Sequence, residues 1–243
     1  MRLVYGINPV LEALRAGSRV GRVLVASGAQ SPALSRVELA AKEAHVAVSR
    51  LSVEELTRRA TGGVHQGVIA EVESIAYVEV ADLLDAAKRA GQPPFIAVLD
   101  SIVDPQNLGA LIRSAHALGA HGMVIPKDRA AEVTPSAEKA SAGAVSYLPL
   151  ARVVNLSRAI DELKEAGVWT CALAADGETE LAQVDFREPS AIVIGSEGKG
   201  VRPLVRKTCD RAARIPMAGR VGSLNASVAG AIAFYEVARQ RSS

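Results

Sequence analysis

The sequence predicts an α/β protein, with a mostly parallel sheet covered by helices on both faces and a smaller α/β unit ahead of it. Three observations carry that prediction. From Phe95 onward, short apolar runs alternate with segments of helical period. Runs such as FIAVLD and AIVIG are apolar nearly throughout, the pattern of strands buried on both faces. Ahead of them, Gly91 and the pair Pro93-Pro94 interrupt the chain with fixed φ angles and missing N–H donors, which suits a junction.

Taken in order, VLEALRAG predicts a helix, VGRVLVA a strand, PALSRVELAAKEA a helix and HQGVIAEV a strand, making residues 1–72 one small unit. Residues 73–94, with the short helical pattern VADLLDAAKRAG, are predicted to be a linker. Residues 95–243 read as strand FIAVLD, helix NLGALIRSAHALG, strand GMVIP, helix PSAEKASAG with Gly143 as C-cap, and strand SYLPLARV. Helix LSRAIDELKEAG, strand VWTCALA, strands AIVIG and ARIPM, and a last helix from about Ser223 to Arg241 complete the chain.

Composition narrows the classes. At 243 residues, 49% of them hydrophobic, the chain can bury one core and a smaller accessory one. The net charge of +2 permits nucleic-acid binding without requiring it. The start, MRLVYGINPVLEALRAG, is broken by Gly6, Asn8, Pro9 and Glu12, so neither a signal peptide nor a membrane span is expected and the location is read as cytoplasmic. Cys171 and Cys209 form no CxxC pair and are expected as reduced thiols near the core. His45, His65, His116 and His121 lack metal-ligand spacing, so no metal is expected.

Three segments could carry chemistry. In LDSIVDPQNLGALIRSAHALG, a strand ending in Asp100 leads into a helix on which Asn107 is placed to cap and Arg113 points off the apolar stripe, near the strand ends where open sheets bind ligands. AIVIGSEGKGV empties a buried strand into a loop with Gly195, Gly198 and Gly200, whose missing side chains let a ligand approach the backbone. It fits neither the dinucleotide fingerprint nor a P-loop, since Lys199 is followed by Gly200. In IPMAGRVGSLNASVAGAIAFYE, Ser223 and Asn225 stand at a helix entrance, and the small residues Ala226, Ala229, Gly230 and Ala233 follow.

Together, DPQNLGALIRSA, IVIGSEGKGV and IPMAGRVGSLNASVAGAIAFYE resemble the three ordered motifs of the SpoU (TrmH) family of RNA 2'-O-methyltransferases, and look most like the branch that modifies a guanosine of 23S rRNA. YGINPVLEAL and HQGVIAEV resemble that family's L30e-like RNA-binding domain, assigned here to 1–72. The resemblance implies a SPOUT-type methyltransferase domain over 95–243 with a C-terminal trefoil knot, and a homodimer built through it. It implies S-adenosylmethionine as cofactor, held by Gly195, Ser196, Glu197, Gly198, Gly200, Ile215, Pro216, Met217, Leu224, Asn225 and Ser227. Arg113 is the implied catalytic residue, with Asn107, Glu197, Ser223 and Asn225 around it. Because a guanidinium stays protonated by default, proton abstraction by Arg113 would need special activation; the alternative is that Arg113 polarises the ribose hydroxyl and fixes a neighbouring phosphate, with Glu197 holding it by an ion pair. Where many family members carry a glutamate after SAGA, this chain has Ser146, and no role is carried to that position. The RNA partner, 23S rRNA or its precursor, is expected to meet Arg19, Arg22, Arg58 and Arg59 of the first unit. Transfer RNA is the alternative substrate, and a non-catalytic RNA-binding module the alternative class. With eight aromatic residues, recognition should lean on shape, backbone and ribose more than on extensive stacking.

Overall fold

The computed structural model describes residues 1–15, 19–28, 31–61, 63–73, 75–220 and 222–242. They fall into two compact units, 1–75 with 133–143, and 76–132 with 144–243.

The first unit opens β1 (Arg2–Tyr5), α1 (Ile7–Arg15), β2 (Val20–Ala26), α2 (Pro32–Glu43), β3 (Ala47–Leu51), α3 (Val53–Ala60), β4 (Val68–Val72). Its sheet runs β1-β4-β2-β3, with β4 antiparallel to both neighbours and β2 parallel to β3. The sequence pattern predicts α1, β2, α2 and β4 and misses the others. The strands it misses, β1 and β3, are the two edges, and most of their residues reach solvent, so no apolar run marks them. Helix α3 buries only Leu56 and Ala60 and is started by Ser52, whose Oγ accepts from Glu55 N at 3.2 Å. Ala16 and Gly17, with which the predicted helix VLEALRAG closes, lie outside the described residues. One face of the sheet packs Val23, Val25 and Val68 against Val10, Leu14, Val37 and Ala41, and the other packs Leu24 and Ile69 against Leu56.

The second unit contains α4 (Val80–Arg89), β5 (Phe95–Asp100), α5 (Pro105–Ala117) and β6 (Gly122–Pro126). The chain then gives α6 (Pro135–Ser141) to the first unit, where Arg2 pairs with the buried Glu138 at 2.7 Å. Burial raises that carboxyl above its usual range, against the opposing pull of Arg2. The second unit resumes with β7 (Leu150–Val153), α7 (Leu156–Glu165), β8 (Trp169–Leu173), β9 (Thr179–Glu180), β10 (Ser190–Gly195), α8 (Pro203–Thr208), β11 (Arg211–Arg214) and α9 (Ala226–Arg241). Every pairing in its sheet, β7-β6-β5-β10-β8-β11-β9, is parallel, as the buried apolar runs require.

Four local expectations are corrected. Residues 80–89 are no free linker: α4 buries Val80 and Leu83 in the second unit's core, and a side chain on Gly122 would collide with Leu83. The cap of α5 is Asp104, whose Oδ1 accepts from Gln106 N at 3.0 Å, because Pro105 at the first helical position starts the helix earlier than Asn107. The left-handed cap of α6 falls on Ala142, one residue before Gly143. Strand β11 ends at Arg214, which frees Ile215, Pro216 and Met217 to form a loop.

Candidate active site

The carboxyl ends of β8, β10 and β11 open onto a cavity of about 260 Å³. Chain order explains its position. From β5 the sheet grows through β6 and β7 to one edge, then β10 inserts between β5 and β8, and loops leaving neighbouring strands diverge at such a switch point. The walls are Leu173 at the end of β8 with Ala174, Ala175 and Asp176 after it, Ile194 to Val201 at and beyond the end of β10, Arg206 of α8, Ile215 and Met217 after β11, and Gly222, Ser223, Leu224, Ala226 and Ala229 at the entrance of α9.

The loop after β10 is folded back on itself. Ser196 and Gly200 exchange backbone hydrogen bonds of 3.1 and 2.8 Å, so tightly that a Cβ on Gly195 would lie 1.9 Å from the Gly200 carbonyl carbon. Asp100, at the end of β5 and level with Gly195, holds the far side of the loop. Its fully buried carboxylate accepts from the Arg202 backbone N at 2.7 Å and from Arg202 Nε at 2.6 Å, and Ser101 Oγ donates to it at 3.1 Å. Ser101 takes a left-handed φ of 62°, a conformation a serine adopts only when its surroundings hold it there.

Asn225 joins the three separated motifs. Its Oδ1 caps α9, accepting from Ser227 N at 2.9 Å, Ser227 Oγ at 2.6 Å and Val228 N at 3.4 Å. That cap turns Nδ2 outward, where it donates to Asn107 Oδ1 at 3.1 Å and to Glu197 Oε2 at 3.2 Å. Helix α9 comes close enough to α5 for this because residue 230 is glycine: a Cβ there would meet Leu111 Cδ2 at 2.3 Å. For Gly230 and the buried Ala233, tight packing is therefore the operative reason, whereas Ala226 and Ala229 line the cavity.

Of the residues expected to hold a cofactor, Gly195, Ser196, Glu197, Gly198, Gly200, Ile215, Met217 and Leu224 line the cavity, as does Ser223. Pro216, Asn225 and Ser227 stand off its wall. Arg113 is not brought to it: the side chain lies on the exposed side of α5 and has no hydrogen bond or ion pair among the described residues. The expected Glu197–Arg113 pair is therefore absent among them, Glu197 Oε2 being taken by Asn225. In the first unit, Arg19 pairs with Glu73 at 3.4 Å and Arg59 with Glu71 at 3.0 Å, while Arg22 and Arg58 are exposed and unpaired among the described residues. The motifs left out the wall after β8, including Asp176, which Arg206 Nη1 grips at 2.7 and 2.8 Å. Its available signal was position alone, the carboxyl end of the predicted strand VWTCALA. Among the described residues no group of three His, Cys, Asp or Glu side chains is placed to hold a metal ion, and no helix is long and apolar enough to cross a membrane.

Residues 94–235 match the SpoU rRNA Methylase family. The chain belongs to that family. Residues 3–78 match a second family, described as RNA 2'-O ribose methyltransferase substrate binding. YacO of Bacillus subtilis, whose name places it among TrmH family tRNA/rRNA methyltransferases, is 41% identical over 98% of this chain and 95% of its own. An uncharacterized tRNA/rRNA methyltransferase of Synechocystis is 43% identical over 98% of this chain, which spans 62% of that relative's length. Among solved structures, the SpoU methyltransferase AviRb of Streptomyces viridochromogenes, in complex with AdoMet, covers 98% of this chain and 90% of its own, with a TM-score of 0.67 and 26% identity. An AdoMet-bound rRNA methyltransferase of Sinorhizobium meliloti covers 98% of this chain and 86% of its own, at a TM-score of 0.64 and 25% identity.

Proposed function

We propose that this SpoU-family chain is an S-adenosylmethionine-dependent RNA ribose 2'-O-methyltransferase whose substrate is a guanosine of 23S rRNA. The observation that carries the reading is the cavity at the strand ends, with Asn107, Glu197 and Asn225 from three distant segments hydrogen-bonded at its margin. The cavity suits the cofactor. Leu173, Ile194, Ile215 and Leu224 offer apolar walls to a flat base, and the 195–200 backbone offers polar atoms. When bound, S-adenosylmethionine supplies an electrophilic sulfonium methyl group.

The chain's part is to align a ribose hydroxyl with that methyl and to assist loss of the hydroxyl proton. Asn225, fixed by its cap on α9, sets the positions of Asn107 and Glu197. Ser223 adds a hydroxyl to the wall, and Arg113, free of protein partners among the described residues, is available to a ribose hydroxyl or a phosphate. The C-terminal trefoil knot, the homodimer through 95–243, the cytoplasmic location and the L30e-like character of 1–72 with its RNA-holding arginines belong to the same reading, supported by family membership and by the substrate-binding match. Transfer of labelled methyl from S-adenosylmethionine to 23S rRNA, 16S rRNA and bulk tRNA, with mapping of 2'-O-methyl sites, tests it. Label at one 23S guanosine is expected. Label in tRNA would keep the chemistry and replace the substrate, and no transfer to any RNA would leave an RNA-binding module.

A further inference from the structure

Of the eight aromatic residues, Tyr147 is the most exposed. Phe95, Phe186 and Phe234 are buried, and Arg211 and Arg152 lie over Trp169 and Tyr77 at 5.5 and 5.3 Å. Tyr5 belongs to β1 and Tyr235 to α9. Tyr147 stands 74% exposed in the short connection before β7, and its ring is stacked on His116 of α5, with centroids 5.6 Å apart and planes inclined by 15°. The connection that presents it is firm. Tyr147 N and Leu148 N both donate to Ala144 O at 3.0 Å, and Leu148 is buried. Arg113 precedes His116 by three residues, so both project from one side of α5, about one turn apart.

We propose that the Tyr147–His116 pair is a stacking platform for one unpaired base of the RNA substrate, with Arg113 beside it to take the adjoining phosphate. The proposal rests on RNA as the substrate. An open aromatic face already stacked on one side offers a second face to a flat heterocycle, and a neighbouring guanidinium, unpaired among the described residues, supplies the charge a nucleotide needs. His116 lies nine residues along α5 from Asn107, about 14 Å by helical rise. The base on the platform is therefore a neighbour of the target nucleotide and not the target itself, and the pair selects for single-stranded context beside the modified ribose.

Filter binding of 23S rRNA transcript and bulk tRNA to the full chain tests this, with S-adenosylmethionine binding and sedimentation measured on the same proteins. For whichever RNA the unsubstituted chain binds, Tyr147→Ala is expected to weaken affinity at least about fivefold, the usual effect of losing one stacked base. Tyr147→Phe should stay within about twofold, and cofactor affinity and sedimentation should not change. The fivefold loss should persist from low to high salt, because stacking releases no counterions, whereas Arg113→Ala should make the salt dependence shallower by about one unit. Unchanged RNA affinity in Tyr147→Ala would overturn the proposal, as would a phenylalanine variant as weak as the alanine one. Altered sedimentation with intact RNA affinity would also overturn it, by assigning the ring to contact with a second protein chain. If the unsubstituted chain binds neither RNA, the RNA reading falls and the platform with it, a result distinct from normal binding that ignores Tyr147.

Discussion

Asp100 and Arg113 show two opposite ways for a residue to serve a site. Asp100 is wholly buried and never faces the cavity, yet through Arg202 it holds the loop that forms one wall. Replacing it with alanine strands a guanidinium and a backbone N–H that it had satisfied. We expect Asp100→Ala to lower unfolding stability by about 3 kcal/mol, read as a fall in the urea midpoint, and to weaken S-adenosylmethionine binding because the loop is released. Arg113 supports nothing in the protein, being exposed and unpaired among the described residues. Arg113→Ala should therefore leave the midpoint and cofactor affinity unchanged while methyl transfer falls by about a hundredfold, the usual scale when a reacting group loses what fixes its position, here the phosphate beside the target ribose. A large loss of stability in that variant would show a structural role that the present contacts do not contain.

At the scale of elements, the decisive contacts are close approaches between backbones. The loop after β10 can bend back only because residue 195 has no side chain, since a Cβ would lie 1.9 Å from one backbone atom and 2.1 Å from another. Backbone cannot step aside as a side-chain tip can. Gly195→Ala is thus expected to open the loop and abolish cofactor binding in a calorimetric titration, while far-ultraviolet circular dichroism stays near that of the parent because the strands themselves are untouched. A variant that bound cofactor normally would mean that the loop tolerates a wider path. The long elements were legible from sequence because their apolar pattern reports burial: FIAVLD and AIVIG are nearly unbroken apolar runs buried on both faces, and the α5 stripe lies where its helical period places it. Edge strands β1 and β3, and α3 with two buried residues, were not legible, since an element that buries little leaves little pattern.

For the whole molecule, ionisable groups in the second unit set a pH window. Burial, with Arg241 nearby, lowers the pKa of His121 from 6.5, while burial raises Cys171 to about 11 and Cys209 to about 12, from 9.0. Below pH 6.5 the unfolded chain binds a proton that folded His121 resists, so stability falls as acid is added. Above pH 9 the unfolded thiols ionise before the folded ones, so stability falls again as the pH rises toward 11 and 12. The urea midpoint should accordingly be flat between these limits. His121→Asn, which keeps an acceptor near the Nδ1 position for Phe95 N, should remove the fall just below pH 6.5, while the lowered carboxylates of Asp176, Asp185, Asp210 and Glu236 still cost stability in stronger acid. Native Cys171 should resist iodoacetamide at pH 8 and react promptly in denaturant, with the partly buried Cys209 also slowed, and fast labelling of native Cys171 would contradict its burial.

By itself the sequence determined the α/β class, the parallel sheet and the three motif segments, because burial of strands and the need for side-chain-free turns are written in residue type and period, while the family came from the resemblance of those segments. Only the tertiary structure decided that Asn225 faces Asn107 and Glu197, that Asp176 and the strand end before it complete the cavity, and that residues 80–89 and 133–143 belong to units other than their place in the chain suggests. Those outcomes depend on which strand β10 lies beside and which loop reaches which helix. Contacts of that kind join residues about a hundred positions apart, such as Asn107 with Asn225, and leave no periodic trace in the chain.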